Sequence, residues 1–282
     1  MENRPPVTDD SRRAFAEAAR EDRPDLALLC LLLATEADPG LDGHGMDEAQ
    51  IELDRLAGLL PFRPGGPAGW ARATADLLGE RHGFHGTPGD YRRLESSLLH
   101  EVLRRRRGLP ILLSVVWMEV ARRAGAPVYG VALPGHFVVG FGDPRGTDGP
   151  VLVDPFDGGR PLSSADTELL VLGATGRPLT PSMLTPADPL DIVLRILNNI
   201  RAWASSRPER SDVQLWAVEL SLLLPAHPAR LRFERAQLLV DRGDFAHGAA
   251  EMEEYARVVS QVDPNAAEII RDQARAARSR LN

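Results

Sequence analysis

A histidine and an aspartate are the residues of this sequence whose types and spacing best suit acid–base chemistry. His136 lies in the strand-like segment PGHFVVGF, and Asp154 ends the strand-like segment VLVD. Their separation suits two neighbouring antiparallel strands. In nucleophilic catalysis a histidine takes the proton of a thiol or hydroxyl, and an aspartate holds the imidazole through its second nitrogen. His136 and Asp154 are therefore candidate catalytic residues. The alternative is a structural pair in which Asp154 satisfies a core histidine.

A nucleophile to complete this pair is less evident. Residues 111–124 form an apolar segment that predicts a helix, and Ser114 lies within it, where its hydroxyl could face His136. A serine inside a helix often bonds the carbonyl four residues earlier instead. Cys30 lies in the apolar segment LALLCLLLA, where a thiol behaves as a small hydrophobic side chain. Ser114 is therefore the candidate nucleophile.

The composition is that of an acidic globular protein. The 282 residues are 43% hydrophobic and 26% charged, with a formal net charge of −7. This charge argues against nucleic acid as the main partner, since phosphate binding requires a basic surface. A single cysteine excludes an internal disulfide framework and fits a reducing cytoplasm. The polar first segment has no signal-peptide character, and the apolar run at 26–34 is too short to span a bilayer. We expect a cytoplasmic protein with no membrane partner.

Hydrophobic periodicity and turn residues divide the first two thirds of the chain into helices and strands. Residues 1–10 are expected to be a disordered lead, and GDPRGTDGP is expected to connect a hairpin. A short helix near 163–171 precedes a proline-rich linker. The predicted helices are 10–20, 26–37, 46–60, 70–81, 91–107 and 111–124, and the predicted strands are 128–133, 136–141 and 150–154.

The last third of the chain is almost entirely helical in pattern. Helices are predicted at 211–223, 228–241, 245–260 and 264–280. Their paired lengths repeat at about 34 residues, which is the period of the tetratricopeptide repeat. Ala249 and Ala250 are the expected small positions where two helices approach closely. Helical arrays of this kind usually bind a partner chain on their concave face. We therefore expect a protein partner at this region.

Several stretches, taken in order, resemble the SirB1 family of bacterial proteins. That family joins a transglutaminase-like core to a tetratricopeptide-type region, and the resemblance runs from about Pro24 to the end of the chain. Thr87 and Ser96 stand where the family favours asparagine, and Leu112 stands where it often has serine. The stretches that carry the resemblance are PDLALLCLLLATEADPGLD, LLGERHGFHGTPGDY, VLRRRRGLPILLSVVW, PGHF, DPFDGG and DIVLRILNNI.

The resemblance also implies where a catalytic thiol would stand. A transglutaminase-type or papain-type enzyme places a cysteine at a helix N-terminus, where the helix dipole stabilises the thiolate. The equivalent position in this chain falls near Pro110, which has no nucleophile. His136 and Asp154 match the histidine and aspartate of the family. The resemblance thus implies a transglutaminase-like core that keeps this pair without the thiol.

Two further clusters have simpler explanations than a site. His82 and His85 lie in a glycine-rich loop with no cysteine or carboxylate cluster nearby, so we expect no metal and no cofactor. The four arginines at 104–107 are expected to be a solvated helix end, since cations suit a helix C-terminus.

These observations predict an α+β fold with a helical N-terminal part, a transglutaminase-like core and an α-helical, tetratricopeptide-like domain. The expected divisions are a flexible or helical lead at 1–23, the core at 24–175 and the helical domain at 188–282. The missing thiol favours a non-catalytic protein-interaction or regulatory protein. The alternative is an amide or ester hydrolase or acyltransferase that uses Ser114, His136 and Asp154.

Overall fold

The computed structural model describes residues 9–146 and 150–281, which belong to two compact units. The first unit is Met1–Ile196 and the second is Leu197–Asn282. The first combines helices with a small antiparallel sheet and the second is helical, which confirms the expected α+β fold. The disordered lead expected before residue 9, and residues 147–149 of the expected hairpin loop, lie outside the described residues.

The helices of the first unit begin where side chains can satisfy their free N–H groups. Asp25 accepts a hydrogen bond from the Leu28 N–H, and α2 then occupies the predicted 26–37. Asp42 caps α3 in the same way through the Gly45 N–H. The helices are α1 (Asp9–Ala18), α2 (Leu26–Ala37), α3 (Gly43–Ala57), α4 (Gly66–Thr74, continued by a π-helical turn at Ala75–Arg81), α5 (Leu99–Arg105), α6 (Pro110–Arg123) and α7 (Ser164–Thr175).

The sheet is an antiparallel meander of four strands in chain order. Its strands are β1 (Val128–Val131), β2 (Val138–Phe141), β3 (Val151–Asp154) and β4 (Arg160–Leu162). In the register of this sheet, Val139 pairs with Val153 and Asp154 pairs with Arg160. The short strand β4 was not predicted. It follows a tight reversal in which Gly158 and Gly159 take positive φ angles of 62° and 88°, a conformation that glycine adopts without strain.

Helix α6 is buried along almost its whole length. Every residue from Pro110 to Ala121 is buried, and the helix contacts α2, α3, α4 and α5 together with β1 and β2. A helix that is apolar on all sides belongs in a core. The buried carboxylate of Glu119 is paired with Arg122 at 2.6 Å and with Arg123 at 3.5 Å, since a buried charge requires a partner.

The prediction of one continuous helix over residues 91–107 is wrong. The chain instead makes two 3₁₀ turns, at Pro88–Arg92 and Leu94–Ser97, before the shorter α5. Asp90 and Thr87 cap each other at the first turn, and this local bonding competes with a continuous helix. Beyond α5, Arg106 takes a left-handed conformation with φ 56°, which ends the helix.

The second unit repeats at the tetratricopeptide period. Its helices are α9 (Ser211–Leu223), α10 (Arg230–Asp241), α11 (Phe245–Val259) and α12 (Pro264–Arg278), and α8 (Pro189–Ser205) includes the residues at which the two units divide. Helices α9 and α11 begin about 34 residues apart, at 211 and 245. Helices α10 and α12 begin the same distance apart, at 230 and 264, as expected for this repeat.

Small residues let helices α10 and α11 approach closely. Gly248 and Ala249 are buried, and a Cβ at Gly248 would press on the Ala236 carbonyl, whereas Ala250 is exposed. The expectation for Ala249 is thus confirmed, and that for Ala250 is wrong because it lies on the opposite face of α11. None of the helices described in either unit is long and apolar enough to cross a bilayer.

Gly79 and Gly173 form a matched pair that tests the packing of the first unit. A Cβ at Gly79 would overlap the Gly158 carbonyl, whereas a Cβ at the exposed, helical Gly173 has open space. We expect Gly79→Ala to lower the free energy of unfolding by about 1–3 kcal/mol. Gly173→Ala should raise it by about 0.5–1 kcal/mol, because alanine favours a helix. Urea denaturation followed by circular dichroism measures both, and equal stabilities would contradict this packing.

Candidate functional site

The predicted histidine and aspartate meet where strands β2 and β3 lie side by side. His136 lies two residues before β2, and Asp154 is the last residue of β3. The Nε2 atom of His136 is 2.9 Å from Oδ2 of Asp154. Asp154 is buried, and 14% of the His136 side chain is exposed. The two candidate residues are therefore brought into direct contact.

The second carboxylate oxygen of Asp154 holds the pair in place. Oδ1 accepts a hydrogen bond from the Phe156 N–H at 2.9 Å. Because a carboxylate oxygen accepts hydrogen bonds, the hydrogen of the His136 contact resides on Nε2. The Nδ1 atom of His136 has no hydrogen-bond partner among residues 9–146 and 150–281. The imidazole is thus fixed through one nitrogen, with the other available.

Aromatic rings extend the site away from this pair. The His136 and Phe156 rings meet edge to face with centroids 6.2 Å apart, and Tyr91 meets Phe156 at 6.0 Å. The Gly86 N–H donates to the Phe156 carbonyl at 2.9 Å, and a Cβ at Gly86 would overlap the Phe156 ring. A glycine is therefore required where the loop after α4 packs against the site.

The buried carboxylate of Asp90 anchors that loop. It accepts hydrogen bonds from the N–H and the hydroxyl of Thr87, at 2.9 and 2.8 Å. Arg107 and Arg105 lie 3.5 and 3.7 Å from it. Burial alone would raise the pKa of Asp90, but the Thr87 hydrogen bonds and the positive charge of Arg107 lower it below the ordinary value. The expectation of a fully solvated arginine run is wrong for these two arginines, because they neutralise a buried charge.

Ser114 lies in the core rather than at the entrance to the site. Its side chain is buried, one turn beyond Pro110, which is the first residue of α6. The hydroxyl donates to the Phe137 carbonyl at 3.3 Å. That bond runs to the backbone next to His136, and no hydrogen bond joins Ser114 to the imidazole within the described part of the chain. The three candidate residues are neighbours, with only His136 and Asp154 bonded to each other.

Cys30 lies in the buried helix α2. Burial raises the pKa of its thiol, and the negative charges of Glu119 and Asp25 raise it further. A thiol acts as a nucleophile only as the thiolate, which these surroundings disfavour.

Arg195 of α8 is a site residue that the predictions missed. Its Nη2 donates to the Leu133 carbonyl at 2.8 Å and to the His136 carbonyl at 2.7 Å. An arginine within the apolar run IVLRIL is a sequence signal for such a role. Tyr91 and Phe156 have no comparable signal, because their part in the site depends on how two loops pack.

Comparison with known proteins identifies the class of protein to which this chain belongs. Residues 47–198 match the family model of the transglutaminase-like superfamily, and residues 200–282 match a tetratricopeptide repeat model. The chain therefore belongs to the transglutaminase-like superfamily, followed by a tetratricopeptide region.

Individual relatives narrow this class to the family of the UPF0162 proteins. A UPF0162 protein of Xylella fastidiosa is 34% identical over 215 residues, which cover 72% of this chain and 73% of the relative. One of Pseudomonas aeruginosa is 30% identical over 204 residues, which cover 71% and 72%. Human F-box only protein 21 is 26% identical over 156 residues, which cover 53% of this chain and 24% of that protein. A crystal structure of menin overlaps with a TM-score of 0.43 at 15% identity, covering 94% of this chain and 69% of menin, which is too weak to support an inference.

Asp90 gives a pH-dependent test of the loop that carries Tyr91. Because its pKa is lowered by folding, its ionised form contributes stability above the ordinary carboxyl pKa of about 3.9. This contribution is lost as pH falls through the lower pKa of the folded state. We expect Asp90→Asn to lower the free energy of unfolding by about 1–3 kcal/mol at pH 7, and by less at pH 3.

Urea titrations at both pH values measure the effect of Asp90→Asn. The exposed Asp47 supplies the control, since Asp47→Asn should change stability by less than about 0.5 kcal/mol. A loss that is the same at pH 3 and pH 7 would contradict an ionised, stabilising Asp90.

Proposed function

We propose that this protein is a SirB1-type protein that acts without catalysis, as a protein-interaction or regulatory protein of the bacterial cytoplasm. The observation that carries the proposal is the burial and the hydrogen bonding of the Ser114 side chain. Its hydroxyl is buried and donates to the Phe137 carbonyl, and Pro110, near which the resemblance implies a thiol, is the first residue of α6. A nucleophile must reach both its substrate and its general base. Ser114 meets neither requirement in this arrangement.

The His136–Asp154 pair has a structural role in this proposal. It joins the start of β2 to the end of β3 through a 2.9 Å hydrogen bond between side chains that are largely withdrawn from water. Hydrogen bonds of a charged group in such surroundings contribute about 1.5–3 kcal/mol. A contribution of this size to the stability of the fold is sufficient to explain the presence of the pair.

The second unit supplies a surface for a protein partner. A cavity of about 530 Å³ opens between α9, α10 and α11. The Arg235–Glu251 ion pair lies in its wall, and Tyr255 stacks on Phe233 with centroids 5.6 Å apart. Val258 on the rim is 52% exposed. Apolar and aromatic side chains beside charges of both signs favour a polypeptide segment over a highly charged polymer.

The second candidate function is an amide or ester hydrolase or acyltransferase that uses Ser114, His136 and Asp154. The observation that favours it is the bonded His136–Asp154 pair, whose Nδ1 has no partner in the described part of the chain. This function requires Ser114 to leave the Phe137 carbonyl and turn toward that nitrogen.

Two valines of the second unit provide a matched test of the interaction proposal. Val258 lines the cavity, whereas Val262 is 89% exposed outside it. We expect Val258→Asp to lower recovery of a bound partner about tenfold or more, since a buried charge at a contact costs more than about 1.4 kcal/mol. Val262→Asp and His136→Ala should retain the partner. Quantitative mass spectrometry of proteins captured by each tagged, full-length variant measures recovery.

Circular dichroism of each variant provides the control for folding in this experiment. A folded His136→Ala protein that loses its partner would contradict a purely structural role for the pair. Equal losses with Val258→Asp and Val262→Asp would contradict the cavity as the docking surface.

A further inference from the structure

Arg195 carries a positive charge that no carboxylate neutralises within residues 9–146 and 150–281. Several other half-buried arginines are paired with a carboxylate: Arg12 with Glu36 at 2.6 Å, Arg201 with Glu234 at 2.7 Å and Arg235 with Glu251 at 2.6 Å. Arg195 bonds only to two backbone carbonyls and lies over the Phe137 ring at 5.6 Å. This arrangement leaves the charge available to a ligand.

The position of the Arg195 guanidinium is fixed by these contacts. The two carbonyls, of Leu133 and His136, use both hydrogens of Nη2. The Nε–H and the N–H groups of Nη1 keep no partner among the described residues. Burial lowers the pKa of Arg195, but a guanidinium remains protonated at neutral pH. A partly desolvated cation with unused donors is stabilised by an anion.

Phe156 and Tyr91 are connected to this cation through His136, whose carbonyl accepts from Arg195 and whose ring meets the Phe156 ring. Tyr91 is 52% exposed, and its ring meets the Phe156 ring with centroids 6.0 Å apart. Burial raises the pKa of Tyr91, the charge of Asp154 raises it further, and Arg195 opposes both. The hydroxyl is therefore a neutral donor at physiological pH. Phe156, in edge contact with both Tyr91 and His136, adds an apolar wall.

We propose that Arg195, Tyr91 and Phe156 form a binding site for an organic carboxylate that carries an apolar group. The guanidinium and the tyrosine hydroxyl donate to the carboxylate, and the phenylalanine ring packs against the apolar group. The charge of Asp154 beside Tyr91 favours a carboxylate, with one negative charge, over phosphate, with two. This site lies wholly in the first unit. It goes beyond the proposed function, because it does not depend on a partner of the second unit.

A small probe tests this site on the full-length protein. N-acetylphenylalanine carries the proposed carboxylate and apolar group, N-acetylphenylalaninamide lacks the charge, and inorganic phosphate lacks the apolar group. We expect N-acetylphenylalanine to shift the amide resonances of Tyr91, His136 and Phe156 in a saturable way, with much smaller shifts from the other two probes. Equal shifts from the acid and its amide would overturn the proposal, and stronger binding of phosphate would overturn the choice of carboxylate.

Two substitutions assign the binding to the named side chains. Arg195→Gln should weaken the affinity for N-acetylphenylalanine about tenfold or more, since hydrogen bonds to a charged group contribute at least about 1.5 kcal/mol. The exposed Arg72 supplies a matched control, and Arg72→Gln should leave the affinity unchanged.

Tyr91→Phe keeps the ring against Phe156 and removes only the hydroxyl, so it tests the site even if Arg195→Gln fails to fold. We expect it to weaken the affinity about threefold or more. Unchanged affinity in a folded Arg195→Gln protein, or in Tyr91→Phe, would overturn the proposal.

Discussion

The complete burial of α6 is the constraint on which the rest of the first unit depends. Apolar side chains cover this helix on all sides, and four helices and two strands pack around it. Burial of so many large side chains is the main favourable contribution to folding. The sheet can form only where it covers part of this helix, and the loops that bear Tyr91, His136 and Phe156 follow from where the surrounding elements end.

The same constraint determines what the site can do. A hydroxyl in the middle of a buried helix must bond to a nearby acceptor, and Ser114 does so with the Phe137 carbonyl. Residues beyond the ends of the strands are under no such restriction. His136 and Asp154 therefore meet each other. Pro110, which has no nucleophilic group, is the first residue of α6.

Local patterns of the sequence were sufficient to predict much of the fold. The predicted helix 211–223 coincides with α9, and the repeat of the second unit follows from periodicity and helix breaks. The pairing of His136 with Asp154 could be predicted from residue types and from their spacing in two strand-like segments. The turns at 88–97 were missed, because the local capping of Asp90 by Thr87 is supplemented by Ser96 and by Arg107, which lies farther along the chain. Arg195 was missed for the same reason, since its carbonyl acceptors lie about sixty residues away.

We propose that the site in the transglutaminase-like region has no working nucleophile. Intact-protein mass spectrometry after incubation with a fluorophosphonate tests it directly, since an activated serine displaces fluoride from phosphorus and gains the phosphonyl group. We expect an unmodified mass, because the Ser114 hydroxyl is buried and bonded to the Phe137 carbonyl. A single adduct that maps to Ser114, and that disappears in a folded His136→Ala protein, would contradict it.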